Sequence, residues 1–263
     1  MQNINDIEQR INNGFDPELY SGLFELEAEH FWFKSRNKLL TWTLKKYFPE
    51  ATSLLEIGCG TGYVLDGLQQ NFNRIKFSGS ELFDKGLEYA KQRCPLINLF
   101  QLDAREMNFI NKFDIIGAFD VIEHIKEDDL ILQNMYKAVK EGGGVIITVP
   151  QHGWLWSKFD ELSHHERRYS LNQLTSKVIN AGFEVEYHTS FVTILLPFLI
   201  LKRLRKYSSE HEIDVKEEFK IHKCLNRIFE IIMSIERFLI SCGIVMPMGG
   251  SLLLIAKKPK SYW

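Results

Sequence analysis

The sequence lacks several features that would place it in a class at once. Its four cysteines form no Cys-x-x-Cys pair, which argues against a disulfide framework. The net charge of -2 leaves no basic excess of the kind that nucleic-acid binding requires. The longest apolar run, residues 189–201, contains Pro197 and falls short of the roughly 18 residues that span a bilayer. Because the N-terminus also lacks a signal-peptide pattern, we expect a cytoplasmic protein with no nucleic-acid partner.

The stretch with most information is residues 53–63, which read Ser-Leu-Leu-Glu-Ile-Gly-Cys-Gly-Thr-Gly-Tyr. The apolar run predicts a buried strand, and the alternating glycines predict a tight turn whose backbone can touch a ligand. A helix should begin near Tyr63. The spacing differs from the Gly-x-Gly-x-x-Gly of dinucleotide-binding folds, and Glu56 just before the turn would repel a phosphate. The turn therefore favours a ligand without phosphate.

Acidic residues recur where the next predicted strands end. Glu81 and Asp103 each close a short apolar strand, and the nearly continuous apolar run at 113–120 predicts a strand covered on both faces. A further strand is predicted at 141–150, after a glycine-rich turn. Ligands of open α/β sheets bind at the carboxyl ends of such strands, so we expect the site there.

These residues carry a resemblance. The glycine turn with its preceding acid resembles motif I of class I S-adenosylmethionine (SAM) dependent methyltransferases. Residues 120–124, Asp-Val-Ile-Glu-His, resemble motif IV of the ubiquinone-biosynthesis-like and type 11–12 group. The resemblance implies an α/β, Rossmann-like fold, with a seven-stranded mixed sheet of order 3-2-1-4-5-7-6 and helices on both faces. It also implies that SAM is the cofactor and that S-adenosylhomocysteine is the product formed from it. The antiparallel end of the sheet is expected at 183–188 and 251–256.

Roles at the cofactor follow in part from the parallel sheet and in part from the resemblance. Glu81 stands where such folds place a carboxylate on the ribose hydroxyls. The resemblance assigns Asp103 to the adenine amino group, with the backbone at Ala104 beside the ring, and Glu56 to the turn or the methionine ammonium. The full expected set is Glu56, Gly58, Cys59, Gly60, Gly62, Glu81, Leu82, Asp103, Ala104, Asp120, Val121 and Arg36.

Two helical additions are expected around this core. Residues 1–50 place three aromatics, 31–33, beside Arg36, which favours a lid over SAM; the alternative is a helix that packs its aromatic face on the sheet. Residues 191–206 are apolar and then basic, so they could instead lie on an anionic membrane surface. The expected units are a lid at 1–50, a SAM-binding core at 51–190 and 249–258, and a helical insert at 191–248 that caps the substrate.

The loop at 151–169 is rich in aromatic and basic side chains, which favours an acceptor site. Histidine is the natural general base near neutral pH, and we rank the candidates His165, His164 and then His124. Each could instead be structural, and an arginine of this loop could pair with a loop acid. Glu123 with these histidines could hold a metal, but the spacing is not that of a zinc motif, so none is expected. The expected substrate contacts are Trp154, Trp156, Arg167, Arg168 and Tyr169.

The sequence thus predicts in-line methyl transfer from SAM, most simply to a hydroxyl of a small-molecule, sugar or lipid-linked acceptor. A nicotinamide-dependent reductase or epimerase is one alternative, although the Tyr-x-x-x-Lys pair usual in that class is missing at Tyr136. A non-catalytic SAM-binding partner subunit is the other. The identity of the acceptor, the methylated atom and the oligomeric state stay open.

Overall fold

A computed structural model describes residues 19–206 and 221–260, with the backbone alone at 202–206. It contains one seven-stranded sheet in the order β3-β2-β1-β4-β5-β7-β6, which confirms the predicted fold. Only β7 runs antiparallel to its neighbours, β5 and β6. The strands are β1 (Ser53–Ile57), β2 (Lys76–Glu81), β3 (Asn98–Gln101), β4 (Phe113–Phe119), β5 (Val139–Pro150), β6 (Glu184–Phe191) and β7 (Ser251–Lys257).

Helices connect these strands and cover the sheet. Ser170 and Gln173 form a capping box at the start of α7. Short 3-10 turns follow β3, β4 and β5 at Ala104–Glu106, Ile122–His124 and Gly153–Leu155. The helices are α1 (Leu19–Leu26), α2 (Phe31–Tyr47), α3 (Tyr63–Gln69), α4 (Asp84–Arg93), α5 (Asp128–Ala138), α6 (Lys158–Leu162), α7 (Leu171–Asn180), α8 (Leu196–Lys206) and α9 (Lys223–Ser241).

The sheet separates two hydrophobic cores, as side chains that alternate along a strand require. Leu54 and Ile115 point into the core formed with α2, α3, α4 and α9. Leu55 and Ile116 point into the core formed with α5 and α7. Because both faces are covered, the central strands are apolar along nearly their whole length, which explains the continuous run seen in β4.

The insert differs in detail from its prediction. Apolar residues at three- and four-residue spacing over 213–240, from Ile221 to Leu239, predict an amphipathic helix within the insert. This helix begins at Lys223 in the described chain; 207–220 lie outside the described residues, as do 1–18 of the expected lid. The expected apolar stripe included Ile228 and Ile235, which are 46% and 52% exposed. The buried side chains of α9 are Phe229, Met233, Glu236 and Ile240, one residue further along the helix.

The buried face of α9 is therefore rotated relative to the predicted stripe, and the reason is a buried carboxylate. Glu236 accepts hydrogen bonds from the backbone amides of Val192, Thr193 and Ile194 at 2.6, 2.8 and 2.8 Å. Val192 has a φ of 62°, unusual for a β-branched residue, and this turn aims the amides at the carboxylate. Glu236 thereby holds α9 against the chain that leaves β6.

None of the helices in the described chain has the length and apolar character needed to cross a bilayer. The alternative of a membrane contact through 191–206 stays untested, because the side chains of 202–206 lie outside the described residues.

Candidate active site

A cavity of about 470 Å³ opens at the carboxyl ends of β1, β2 and β4. The sheet register places Ile57 beside Ser80 and Ala118, so the residues that follow these three strands meet at one edge. Side chains of α1 and α2 cover the cavity on one side, and Leu195, Phe198 and other insert residues close it on another. All the residues expected at the cofactor line it except Gly62.

The glycine turn brings bare backbone to the cavity. Gly58 and Gly60 have φ values of 62° and 51°, and a Cβ on Gly58 would lie 2.7 Å from Val121 Cγ2. Gly62, with a φ of 77°, precedes α3 instead, and its Cβ would lie 3.2 Å from the Cα of Ala90 in α4. Gly62 lies outside the cavity lining, because the lack of a side chain there lets α3 pack closely on α4; its expected contact with the cofactor stays a prediction.

Glu81 is held by backbone amides of the same turn. Its Oε2 accepts from Gly60 at 2.9 Å, and its Oε1 accepts from Leu82 and Phe83 at 2.7 and 3.2 Å. The hydroxyl of Tyr20 in α1 also donates to it. Burial raises the pKa of Glu81, and these hydrogen bonds act against the rise. The carboxylate is thus fixed in orientation at the edge of the cavity.

Asp103 caps the 3-10 turn after β3. Its Oδ1 accepts from the backbone amide of Arg105 at 2.9 Å, and its Oδ2 pairs with the guanidinium of Arg105 at 2.7 Å. Asn134 of α5 donates to the Arg105 carbonyl at 2.9 Å and so fixes the turn. An adenine amino group at this carboxylate would share it with Arg105, a partner that sequence reasoning did not identify.

Arg36 and Glu56 place a guanidinium and a buried carboxyl group in the lining of the cavity. Arg36 Nη1 lies 2.5 Å from Asp120 Oδ2, which also accepts from Thr148 at 3.1 Å. Glu56 is 2% exposed, and its Oε2 accepts no hydrogen bond from the described residues. Burial raises the pKa of Glu56 well above its usual value, with Arg36 acting against the rise. A buried acid of this kind suits an incoming ammonium group.

Helix α1 is fastened over the glycine turn by residues that carried no signal in the sequence. The carboxylate of Glu27 accepts from the Thr61 hydroxyl and pairs with Arg93 Nη1 at 2.6 Å. Arg93 Nη2 also donates to the Phe24 carbonyl at 2.9 Å. Because these residues are far apart in the chain and none follows a motif, only the folded structure brings them together.

The far end of the cavity is organised by Asp160, whose side chain is fully buried. Asp160 Oδ1 lies 2.9 Å from His165 Nδ1, and Arg168 binds both carboxylate oxygens at 2.7 and 3.0 Å. The Ser157 amide donates to Oδ2 at 2.8 Å. Burial alone would raise the pKa of Asp160, but these partners outweigh it and hold the pKa below its usual value. His165 also lines the cavity, so the Asp160 contact at Nδ1 fixes the orientation of a ring that borders it.

Glu123 and His124 face His165 from the 3-10 turn after β4. The Glu123 side chain is fully buried, and its oxygens accept no hydrogen bond from another described residue. Burial and then the charge of Asp120 raise the pKa of Glu123 well above its usual value. Burial and then His165 lower the pKa of His124 to about 3, so this imidazole is neutral at physiological pH. The rings of His124 and His165 are 4.5 Å apart.

Several residues expected at the acceptor lie outside the cavity lining. Trp154 is 59% exposed and stacks on His152 with ring centroids 5.4 Å apart. Trp156 is 37% exposed, and His164 is exposed with a φ of 52°. The buried contacts of Asp160 fix the course of the loop, and these side chains lie on the face of the loop that points away from the cavity.

The three other expected substrate residues have structural partners. Arg167 pairs with Asp128 at 2.9 Å and donates to the Ile125 carbonyl at 2.9 Å. The Tyr169 hydroxyl also donates to Asp128, at 2.7 Å. Arg168 does line the cavity, but its guanidinium is committed to Asp160. The alternative that a loop arginine pairs with a loop acid thus describes Arg168.

Comparison with known proteins identifies the family. A family model described as a methyltransferase domain matches residues 24–188, more than half of the chain. The chain belongs to this family. The predictions of the class I methyltransferase family and of SAM as its cofactor are confirmed.

The curated relatives differ in what their names state. A probable SAM-dependent methyltransferase of Mycolicibacterium smegmatis is 24% identical over 61% of this chain and 62% of its own. A dTDP-3-amino-3,4,6-trideoxy-alpha-D-glucopyranose N,N-dimethyltransferase of Streptomyces venezuelae is 30% identical over 39% of this chain and 44% of its own. This methyltransferase thus matches about half the length of these relatives.

A solved structure supports the fold. Phosphoethanolamine N-methyltransferase 2 of Haemonchus contortus, in complex with SAM, superposes with a TM-score of 0.58 at 21% identity, over 85% of this methyltransferase and 53% of the nematode chain. At this identity the likeness bears on the fold alone.

Proposed function

We propose that this protein transfers the methyl group of SAM to a hydroxyl of a small-molecule, sugar or lipid-linked acceptor. The observation that carries the proposal is a single cavity lined at one end by the glycine turn and its acids and at the other by His165 on its Asp160 anchor. Donor and acceptor can then meet in line inside the protein, which is the main requirement for displacement at an activated methyl group.

The charge pattern of the cofactor end supports SAM as the donor. SAM carries a sulfonium and an ammonium, and the acids that face this end include Glu56, which has a buried oxygen without a hydrogen bond from the described residues. The carboxylate of Glu81 is oriented by three backbone amides for a polar partner such as the ribose. The backbone at Gly58 and Gly60 adds no side chain that would obstruct the ligand.

At the acceptor end, a hydroxyl has to lose its proton as it is methylated. In the protein alone, with no metal ion bound, Nε2 of His165 takes that proton, because Asp160 holds Nδ1 and fixes the ring. The oxygen forms the new bond to the methyl carbon, the carbon–sulfur bond breaks, and its electron pair stays on sulfur to give S-adenosylhomocysteine. No covalent enzyme intermediate is needed.

The wall formed by the insert supports an acceptor with an apolar portion. Leu195, Phe198 and Phe229 line the cavity on this side. Apolar side chains of this kind suit a lipid tail, an aromatic ring or the apolar face of a deoxysugar. The relative from Streptomyces venezuelae is named for an amino sugar, so methylation of an amine is the second candidate.

Binding and transfer test the proposal separately. Calorimetry should show binding of SAM and S-adenosylhomocysteine and none of NAD; binding of NAD without SAM would make the protein a nicotinamide enzyme. Methyl-labelled SAM should then transfer label to a metabolite fraction of a bacterial extract, and NMR of the product locates the methyl on oxygen or nitrogen. SAM binding without transfer to any fraction would instead identify a non-catalytic partner subunit.

A further inference from the structure

We propose that Glu123, His124 and His165 form a site for a divalent transition-metal ion at the acceptor end of the cavity. One ligand atom from each of the three lies within 4.8 Å of the other two. All three side chains line the cavity, so an ion there would have coordination positions open to an acceptor. The ligands come from positions 123, 124 and 165, a spacing too irregular for a metal motif in the sequence.

Glu123 supplies the first independent reason. Its side chain is fully buried, and neither carboxylate oxygen accepts a hydrogen bond from another described residue. Buried polar groups in native proteins are almost always partnered, and a buried carboxylate without a partner is costly. Glu81, Asp103 and Asp120 at the same cavity all have partners among the described residues, and Glu56 has one oxygen without a partner, whereas both oxygens of Glu123 lack one. Glu123 therefore differs from them in a way that a cation would explain.

The two histidines supply the second reason. Metal-binding histidines usually donate their other ring N–H to a carboxylate or a carbonyl, which fixes the ring. His165 has Asp160 in this position, at 2.9 Å from Nδ1. The His124 ring hydrogen-bonds to the backbone of Ser163. Both rings are thus oriented by groups that lie outside the proposed site.

The position of the site is fixed by the backbone as well. The amide of Glu166 donates to the Glu123 carbonyl at 2.8 Å, and Arg167 donates to the carbonyls of Ile125 and Lys126 at 2.9 and 3.1 Å. These bonds join the loop after β5 to the turn after β4. The ligands therefore belong to two segments that are held in register before any ion binds.

The donor set points to the class of ion. Two imidazoles and one carboxylate favour a first-row transition metal such as Zn²⁺, Mn²⁺ or Co²⁺ over Mg²⁺ or Ca²⁺, which take oxygen ligands. Ligand atoms around a tetrahedral ion are roughly 3.4 Å apart for bonds of about 2.1 Å. The present spread of up to 4.8 Å needs only a small contraction of side chains.

The consequence for chemistry rests on the proposed methylation of a hydroxyl. With the ion in place, Nε2 of His165 is a ligand, and the ion takes over activation of the acceptor. A bound ion would supply Lewis-acid activation of the acceptor hydroxyl, whose proton would pass to water while its oxygen attacks the methyl carbon and the carbon–sulfur bond breaks with its electron pair on sulfur. Acceptors with two neighbouring hydroxyls, as in sugars and catechols, could use two open positions of the ion.

Cobalt provides a readout that is independent of methyl transfer. The protein is first treated with a chelator and dialysed, and Co²⁺ is then titrated while the visible absorption spectrum is recorded. We expect d–d bands that saturate at one Co²⁺ per chain. Absence of such bands up to millimolar Co²⁺ would overturn the site.

Matched variants connect the signal to the ligands. Glu123→Gln and His165→Gln should each weaken Co²⁺ binding by at least tenfold, while His164→Gln, the exposed neighbour, should leave it unchanged. Glu123→Gln keeps the shape of the side chain and therefore serves if His165→Gln fails to fold. Equal binding by wild type and Glu123→Gln would contradict the assignment.

The same samples separate this inference from the proposed function. Labelled methyl transfer should be lost on chelation and restored by Mn²⁺ or Co²⁺, with SAM binding unchanged. Transfer that is indifferent to the chelator would overturn the role of the ion and leave the methyltransferase proposal intact, with His165 as the base. Loss of SAM binding itself would count against the proposed function, whatever the cobalt spectrum shows.

Discussion

The two ends of the cavity are built in different ways. At the cofactor end, Glu81, Asp103 and Asp120 each follow a strand of the parallel sheet, and the register of that sheet brings them together. At the acceptor end, Glu123 and His165 come from a turn and a long loop that meet around Asp160. The first end depends on the sheet that the whole fold shares, and the second depends on a few buried polar contacts.

This difference separates binding from chemistry. Damage at the glycine turn should remove the cofactor without disturbing the acceptor loop. Damage at Asp160 should release the acceptor loop while the cofactor still binds. The four predictions below test this separation, from the largest effect to the smallest.

Asp160→Ala should have the largest effect on stability. Removing this carboxylate leaves Arg168 buried without its partner, and breaking a buried ion pair costs roughly 3 to 5 kcal/mol. His165 would also lose its hydrogen bond to Asp160, so methyl transfer should fall strongly. The fraction of the protein that stays folded should bind SAM with nearly wild-type affinity. Urea unfolding and calorimetry measure the two effects, and Glu161→Ala, an exposed neighbour on α6, is the control. A parallel loss of SAM affinity would show that the two ends are coupled.

Gly60→Val should weaken SAM binding by about 100-fold or more, which is about 2.7 kcal/mol. The φ of 51° is unfavourable for a β-branched residue, and the added side chain would project into the cavity near Tyr20. Gly153→Val is the matched control, because a Cβ there meets no atom within 4 Å. Calorimetry at 25 °C decides the matter: normal binding by Gly60→Val would show that the cofactor does not lie against the turn.

Glu56→Gln should weaken SAM binding about tenfold, or about 1.4 kcal/mol, by removing a buried charge for the ammonium. In the protein without SAM, the same substitution should raise the free energy of unfolding at neutral pH, not lower it. Because burial raises the pKa of Glu56, the folded state keeps a proton that the unfolded chain releases, so stability falls as pH rises above the usual glutamate pKa of about 4.3. Urea unfolding between pH 5 and 8 should show a shallower fall for Glu56→Gln than for wild type. An identical slope would mean that Glu56 is ionised in the free protein.

Trp154→Ala should change the free energy of unfolding by less than about 0.5 kcal/mol, as most surface substitutions do. The side chain is 59% exposed and lies outside the cavity lining. Leu155→Ala in the same turn should cost roughly 2 to 5 kcal/mol, because Leu155 is 1% exposed. Urea unfolding measures both variants. Similar losses in the free energy of unfolding would contradict the exposed position of Trp154.

The sequence was sufficient for the sheet and for most of the cofactor end. The glycine turn and the acids at the strand ends come from local patterns, and a parallel sheet converts those patterns into positions. The strand order came from the resemblance to the family. Arg105 at Asp103 and the Glu27–Arg93 pair over the turn could not be predicted, because contacts between distant polar residues leave no periodic signal.

The acceptor loop shows the limit of composition as a guide. Its aromatic and basic content favoured Trp154, Trp156 and Arg167 together with His165 and Arg168, and only the last two line the cavity. The buried carboxylate of Asp160 determines which side chains of the loop point toward the cavity. The sequence does not show that Asp160 is buried, because a single aspartate among polar residues is usually exposed. The rotation of α9 has the same origin, since Glu236 is an acid on a face that the pattern assigned to apolar residues.

The pairing of β6 with β7 has a consequence for how the family can diversify. Phe191 and Ser251 lie opposite each other at the last rung of the ladder, so the whole insert departs from and rejoins the sheet at one point. A replacement of different length between these two residues would leave every strand in its place. The insert could therefore change in length, and in the side chains that it adds to the cavity, without any change in the pairing of the strands.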